Sequence, residues 1–208
     1  MITSYRQLPL GLYEEILRIN ADTADELERQ ARIIAVLDGT TYEQVLDLPL
    51  ADYAERAAAA AFLAQEDKGD HRMADAYKLG GFTLVPVRDF TKLTAGQYID
   101  FQTYTKAGYE DHIVEILSVV LVPKGHKYGD GYEFAAVQAA IRQHLCVSDA
   151  LAVLAFFFVA LKDLIGSSLT YSRTLAKRLK GKAAKEMLER IAAAEATLST
   201  TAGAGPQR

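Results

Sequence analysis

AYKLGGFTLVPV, residues 76–87, is the stretch that divides this chain and decides its fold. Apolar residues alternate with other residues on both sides of the pair Gly80-Gly81. A Gly-Gly pair between two short alternating runs is typical of a two-residue β-hairpin turn, because glycine adopts the positive φ angles that such a turn requires. No other segment has a convincing strand pattern. The sequence therefore predicts one small hairpin that separates two helical regions.

Both of these regions have the apolar spacing of amphipathic helices. In the first, Asp22 or Thr23 is the predicted cap of a helix, with Glu26 placed to complete a capping box. That helix ends at Gly39, since glycine suits the left-handed residue that follows a helix. In the second, Pro123 ends the main helix. The apolar stripes of these two helices are Leu27, Ala31, Ile34 and Leu37, and Ile113, Ile116, Leu117, Val120 and Leu121.

Three stretches before the hairpin are echoed after it, in the same order. LPLGLYEEILRI shares Leu, Gly and Tyr at matching places with LTAGQYIDFQTY, and two further pairs follow. The pairs are 8–19 with 93–104, 32–37 with 115–120, and 48–63 with 145–160. Coincidence between generic amphipathic helices is the alternative, but an internal repeat would determine the architecture. We therefore predict two similar helical blocks.

The predicted fold is mainly α: two similar helical blocks joined by a small β-hairpin, plus a C-terminal basic helix. The predicted segments are an N-terminal helical block over 1–65, a hairpin connector over 76–87, a second helical block over 88–170, a basic helix over 171–198 and a disordered tail over 199–208.

The composition is that of an ordinary globular protein, with 50% hydrophobic and 24% charged residues among 208. A single cysteine, Cys146, excludes an intrachain disulfide and indicates a reducing compartment. The longest apolar run, 150–161, is too short to span a bilayer, so it predicts a buried helix. No signal-peptide pattern opens the sequence.

Charge is distributed unevenly along the chain. Residues 173–190 contain seven Lys or Arg and two Glu, a net charge of +5, so the remainder of a chain with net charge −4 carries −9. Such an acidic body does not indicate nucleic-acid binding. The basic helix is predicted to dock on an acidic partner or to pack on the acidic body of its own chain. Its candidate partner contacts are Lys177, Arg178, Lys180, Lys182 and Lys185.

The triplet Phe156-Phe157-Phe158 lies in the long apolar run. A helix that is apolar on all sides is typical of a protein core, and this is the favoured interpretation. The alternative is a partner-binding surface, with Phe157 as a candidate contact, although large exposed apolar patches are uncommon on soluble proteins.

LVPKGHKYGDGY, residues 121–132, is the segment richest in chemically active side chains. Lys124-Gly125 is followed by His126 and not by Ser or Thr, so the segment is not a phosphate-binding loop. His126, Tyr128 and Asp130 could form an acid–base cluster. Because Gly and Asp are common turn residues and the repeat puts a helix connection here, we favour a structural loop whose tyrosines pin it to the core.

Other candidate sites are weaker still. Cys146 lies at an apolar helix boundary, which favours a buried and unreactive thiol. Asp111, His112 and Glu115 share one helix face and could offer metal ligands, but a solvated polar face is the favoured interpretation. We therefore predict no catalytic residue, no metal and no cofactor.

The segment 32–63, RIIAVLDGTTYEQVLDLPLADYAERAAAAAFL, resembles the tail assembly chaperones of tailed bacteriophages. That family has an apolar helix ending in a Leu-x-Gly turn, a short acidic helix, and a Leu-x-x-x-Asp-Tyr/Phe motif opening a helix that ends near Phe-Leu. The residues at these places are Leu37, Gly39, Leu48, Asp52, Tyr53, Phe62 and Leu63. The second block, with TAGQYIDFQ and LSVVLVPKGHKYGDGY, resembles uncharacterised proteins of phages and prophages of gut Bacteroidetes.

The resemblance implies a non-catalytic protein of the host cytoplasm that coats the tape-measure protein and recruits tail-tube subunits. It implies no cofactor, no nucleic acid and no membrane, and it leaves homo-oligomerisation open. The chain departs from the simple chaperone in its length, its hairpin and its doubled helical unit. These departures leave a structural virion protein, such as a ring or connector subunit, as the alternative. A small enzyme built on the His126 loop is the third hypothesis.

Overall fold

The structure, a computed structural model, describes residues 1–65, 67, 72–89, 92–108 and 111–160. It is mainly helical, with a small antiparallel hairpin between two helical blocks, as the sequence predicts. The first block contains α1 (Leu10–Asp22), α2 (Glu26–Asp38), α3 (Tyr42–Leu46), α4 (Leu50–Ala60) and a 3-10 turn (Ala61–Ala64). The second contains α5 (Ala95–Gly108), α6 (Ile113–Val120), α7 (Phe134–His144) and α8 (residues 147–160). The predicted basic helix and tail lie outside the described residues.

The helices of the two blocks occur in the same order, and the sequence echoes fall at equivalent places in them. Leu8 and Leu93 each stand two residues before the first helix of their block, and Leu48 and Leu145 stand two residues before the fourth. In both blocks the second helix packs against the first and the third. The lengths differ, since α2 has 13 residues and α6 has 8.

The hairpin is not an isolated connector, which corrects the expectation of a single hairpin. Strands β1 (Tyr77–Leu79) and β2 (Phe82–Pro86) pair as predicted, but β2 also pairs with a third strand, β3 (Leu121–Pro123). The order is β1-β2-β3, antiparallel throughout. The second apolar stripe was predicted to continue in a helix to Leu121, whereas α6 ends at Val120 and the chain becomes extended. The sheet thereby joins the hairpin to the second block.

The ends of α2 are set by one residue that was predicted and one that was not. Gly39 follows the helix in the left-handed conformation, with φ 67°, as expected. The N-terminal cap is Asp25, whose side chain accepts a hydrogen bond from the Glu28 amide at 2.8 Å, and not Asp22 or Thr23. Asp22 instead is the last residue of α1.

Residues 1–156 form one compact unit, which includes the first block and the second block as far as residue 156 of α8. The segment before α1 pairs with the segment before α8: Leu10 donates its amide to the Leu145 carbonyl, and Val147 donates to the Leu8 carbonyl, both at 2.9 Å. Behind this pairing, Leu8, Ile16, Leu37 and Val147 form one buried cluster. The first block therefore completes its core with a residue of the second.

Candidate functional site

The loop after β3 is a tied structural connection. Among the described residues, neither His126 nor Asp130 forms a hydrogen bond or ion pair through its side chain, and both are exposed. The His126 ring packs edge-on against Tyr132, with centroids 5.9 Å apart. The amide of Gly129 donates to the Tyr132 hydroxyl at 3.3 Å. The structure thus does not assemble the His126–Tyr128–Asp130 acid–base cluster that the sequence left open.

Tyr128 pins this loop to α5. Its hydroxyl donates a 2.7 Å hydrogen bond to Asp100 Oδ2, and its ring lies edge-on to Phe134. Burial raises the pKa of Tyr128, and the hydrogen bond to the neighbouring Asp100 carboxylate raises this pKa further. The hydroxyl is therefore held in its neutral, donating form, which suits an anchor and not a general base.

Cys146 lies half-buried in a shallow polar cleft. Its Sγ donates to Asp149 Oδ2 at 3.1 Å, and burial, together with this carboxylate, raises the pKa of the thiol. A protonated thiol is a poor nucleophile. The residues that line the cleft are Arg6, Arg72, Cys146, Ser148, Asp149 and Ala152, with arginines and a carboxylate facing the same space.

Two of the three residues proposed as metal ligands, His112 and Glu115, lie in a polar cluster with Arg142. His112 Nδ1 lies 3.9 Å from Glu115 Oε2, and Glu115 Oε1 lies 4.0 Å from the Arg142 guanidinium, which also contacts Glu14 at 2.9 Å. A fixed cation beside Glu115 disfavours a second cation there. In the part of the chain that is described, no group of three His, Cys, Asp or Glu is placed to hold a metal ion.

The predicted partner contacts fall in two places. Phe157 exposes 1% of its surface, which favours the core interpretation for this residue. The remaining candidates lie outside the described residues. They are Lys177, Arg178, Lys180, Lys182 and Lys185.

A set of exposed leucines on the first block is a feature that sequence reasoning missed. Leu27 is 71% exposed, Leu46 57% and Leu50 82%. We call these three residues the leucine surface. The sequence predicted Leu27 on the buried stripe of α2, whereas only Ala31, Ile34 and Leu37 of that stripe are buried. Leu27 lies in the first turn of α2, beyond the point where other helices cover it.

The three leucines lie at the same end of the block because of how α3 and α4 run along α2. Tyr53 in α4 donates to Gln30 at 2.9 Å, and Arg56, further along α4, pairs with Asp38 at the end of α2, so these two helices run in the same direction. Leu50 lies three residues, about one turn, before Tyr53, and Leu27 lies three residues before Gln30.

Helix α3 runs back along α2, because the chain leaves α2 at Asp38 and by Tyr53 lies beside Gln30 again. At its start, Tyr42 lies under the Arg32 guanidinium, 5.1 Å from the ring centroid. Near its end, Val45 belongs to one buried cluster with Ala31, Ile34 and Ala35. Leu46, the last residue of α3, precedes Leu50 by four residues, so the short connection between α3 and α4 keeps it near Leu50.

Exposed carboxylates lie close in sequence to the leucine surface. Each of its three leucines has one within two residues, namely Glu26, Asp47 and Asp52. Within the described ranges none of the three forms an ion pair. The nearby arginines are engaged, since Arg32 pairs with Glu28 at 2.7 Å and Arg29 donates to the Thr23 carbonyl at 3.4 Å. The leucine surface thus combines exposed apolar side chains with exposed carboxylates, and we call Glu26, Asp47 and Asp52 its rim. The sequence signal for this surface is leucine close to acidic residues at helix ends, and that signal is recognised only once the helix ends are known.

The chain matches no protein-family model, no curated protein and no solved structure. Among the helices that the structure describes, none combines the length and apolar character needed to cross a membrane.

Proposed function

We propose that this protein is a non-catalytic tail assembly chaperone of a tailed bacteriophage. In this proposal it acts in the host cytoplasm, where it binds the tape-measure protein and tail-tube subunits during tail assembly. The observation that carries the proposal is the leucine surface, because it lies on the block whose sequence resembles that family. Exposed apolar residues grouped in one place are typical of protein-binding surfaces.

The residues that carry the resemblance support this proposal by their positions in the block. Gly39 makes the turn after α2, and Tyr53 ties α4 to α2 through Gln30. Phe62 and Leu63 pack on the cluster that contains Leu37. These residues build the scaffold that holds α2, α3 and α4 together, so the leucine surface at its end is the part left available for a partner.

Co-expression with the tape-measure protein encoded nearest to this gene tests the proposal. We expect a soluble complex with the unchanged chain and a much weaker one with the double substitution Leu27→Ser/Leu50→Ser. The matched control is Ile99→Ser, which removes a 60% exposed apolar residue from α5 and should leave the complex intact. Failure to form a complex, with the tape-measure protein equally soluble alone, would sink the proposal.

The basic segment 171–198 supplies a second proposed contact, on an acidic partner. Deletion of residues 172–208 should weaken partner binding and reduce its sensitivity to salt, because the lysines and arginines of the segment contribute to that sensitivity. The melting temperature should not change. A loss of several degrees would instead assign the segment to the fold of its own chain, the alternative that the sequence left open.

A structural virion protein, such as a ring or connector subunit, is the second candidate. The observation that favours it is the second block with its three-stranded sheet, which the chaperone pattern does not account for. Mass spectrometry of purified particles separates the candidates. A chaperone is absent from the finished particle, whereas a ring or connector subunit is present in a fixed stoichiometry.

A further inference from the structure

We infer that the leucine surface binds an amphipathic helix whose apolar stripe is flanked by lysine or arginine. The inference rests on the proposed function, since it names the partner chemistry of that same surface. It concerns the character of the bound segment and not the identity of the protein that contains it.

The apolar part of the argument comes from the placement of the leucines. They stand in the first turns of α2 and α4 and at the end of α3, so three separate elements of the first block present exposed apolar side chains. A helix that offers apolar residues at i, i+3, i+4 and i+7 places them along one face, which can lie across such a surface. An extended strand would need an open sheet edge, and these elements are helical.

The electrostatic part of the argument comes from the rim. Glu26 and Asp52 lie in first turns of helices, where the helix dipole already stabilises a carboxylate. Asp47 follows the last residue of α3, where the dipole disfavours a negative charge. No arginine or lysine of the described residues neutralises these three carboxylates. A basic flank on the partner would do so.

The same charges disfavour other occupants. Two copies of this chain that met through their leucine surfaces would bring the carboxylates of each rim together, because a two-fold interface pairs each surface with itself. Nucleic acids and anionic lipid surfaces would be repelled for the same reason. A basic-flanked helix is the occupant for which both the apolar centre and the negative rim are favourable.

Synthetic peptides provide the test. One helical peptide carries leucines at i, i+3, i+4 and i+7 with lysines on both flanks, and its partner peptide has glutamate in place of every lysine. Binding to the full chain is measured by fluorescence anisotropy at several salt concentrations. We expect the lysine peptide to bind at least about tenfold more tightly than the glutamate peptide, with an affinity that falls as salt increases.

Variants of the chain locate the binding. Leu27→Ser/Leu50→Ser should weaken binding of the lysine peptide about tenfold, since a few buried apolar anchors dominate such contacts. Glu26→Gln/Asp52→Asn should weaken binding less and should make the affinity less dependent on salt. Ile99→Ser should change neither the affinity nor its salt dependence. All these side chains are exposed, so an unchanged circular dichroism spectrum should accompany each substitution. Only Glu26→Gln/Asp52→Asn should lower the melting temperature slightly, because it removes two carboxylates from the first turns of α2 and α4.

Three results would overturn the inference: equal affinity for the two peptides, undiminished binding by the leucine double variant, or a dimer of the unchanged chain that the double variant converts to monomers. Failure of the proposed function is a separate outcome. A chain that binds the lysine peptide through its leucines but forms no complex with the tape-measure protein retains the inference and loses the chaperone role. A tape-measure complex that survives the double variant keeps the chaperone role and assigns it to another surface of the chain, while the peptide experiment still decides the inference.

Discussion

Two glycines at matching positions of the two blocks have different surroundings. Gly11 lies in α1 and Gly96 at the equivalent place in α5. A Cβ built on Gly11 would lie 2.6 Å from Arg142 Cγ and 2.9 Å from the Arg142 carbonyl oxygen, whereas the atom closest to a Cβ on Gly96 is Thr94 Oγ1 at 3.8 Å. The absence of a side chain at Gly11 thus lets α1 approach α7 closely.

Substitution of these glycines should have opposite effects on stability. Gly11→Ala should lower the free energy of unfolding by about 1–3 kcal/mol, because the backbone oxygen of Arg142 cannot move aside as a flexible side chain can. Gly96→Ala should be neutral or stabilising by up to about 1 kcal/mol, since alanine is the better helix former. Thermal unfolding followed by circular dichroism measures both. Equal melting temperatures for the two variants would contradict the close approach at Gly11.

Tyr128 gives a prediction on pH dependence. Its pKa is raised in the folded chain, so its contribution to stability is complete below about pH 10, the ordinary tyrosine value, and is lost as pH rises toward the folded-state pKa. Tyr128→Phe should cost about 1 kcal/mol at pH 8, because the hydrogen bond to Asp100 is lost. The free energies of unfolding in urea of the unchanged chain and of Tyr128→Phe should converge as pH rises from 8 to 11. A constant difference would show that the hydroxyl does not couple to folding.

At the scale of elements, the transition from α6 to β3 shows how packing ends a helix. The helical spacing continues to Leu121, but Val122 precedes Pro123, and a residue before proline is biased toward extended backbone. Valine also fits the pleated surface of a sheet. Pairing of β3 with β2 supplies hydrogen-bond partners, which include the Lys124 amide donating to the Thr83 carbonyl at 2.8 Å.

Amide hydrogen exchange tests this strand. The Lys124 amide should exchange slowly although its side chain is exposed, because it is held by Thr83, and so should the Val87 amide, which donates to the Val120 carbonyl at 3.0 Å. The control is the Lys127 amide, which has no hydrogen bond in the described part of the loop and should exchange quickly. Exchange at Lys124 as fast as at Lys127 would contradict the pairing of β3 with β2.

At the scale of the whole molecule, the two blocks depend on each other. Leu8, Ile16 and Leu37 share their cluster with Val147, and the backbone pairing of Pro9 with Cys146 joins the blocks. A fragment of the first block alone would expose this cluster, and a domain of that size has little core to spare. The similarity of the blocks therefore does not make them independent.

Separate fragments test this dependence. Residues 1–75 alone should lack a sharp thermal transition, and mixing with residues 76–208 should restore helical circular dichroism beyond the sum of the two spectra. The physical reason is that only the mixture can rebuild the Leu8–Val147 contact. If the fragment 1–75 unfolds as cooperatively as the whole chain, the N-terminal block is a domain of its own.

The features that the sequence by itself determined are local ones. Glycine chemistry specified the left-handed residue Gly39 after α2 and the turn at Gly80 and Gly81, with φ of 51° and 89°. Apolar periodicity specified helices and their order in both blocks. Each of these depends on residues within one or two turns of each other, so the printed order of residues contains the necessary information.

The features that only the tertiary structure decided depend on residues far apart in the chain. Strand β3 exists because β2 lies beside it, and the core of the first block closes only when Val147 reaches Leu8 and Leu37. The exposure of Leu27 follows from α3 and α4 covering the middle of α2 but not its first turn. Periodicity shows which side chains share a face of a helix, but not which part of that face another element covers.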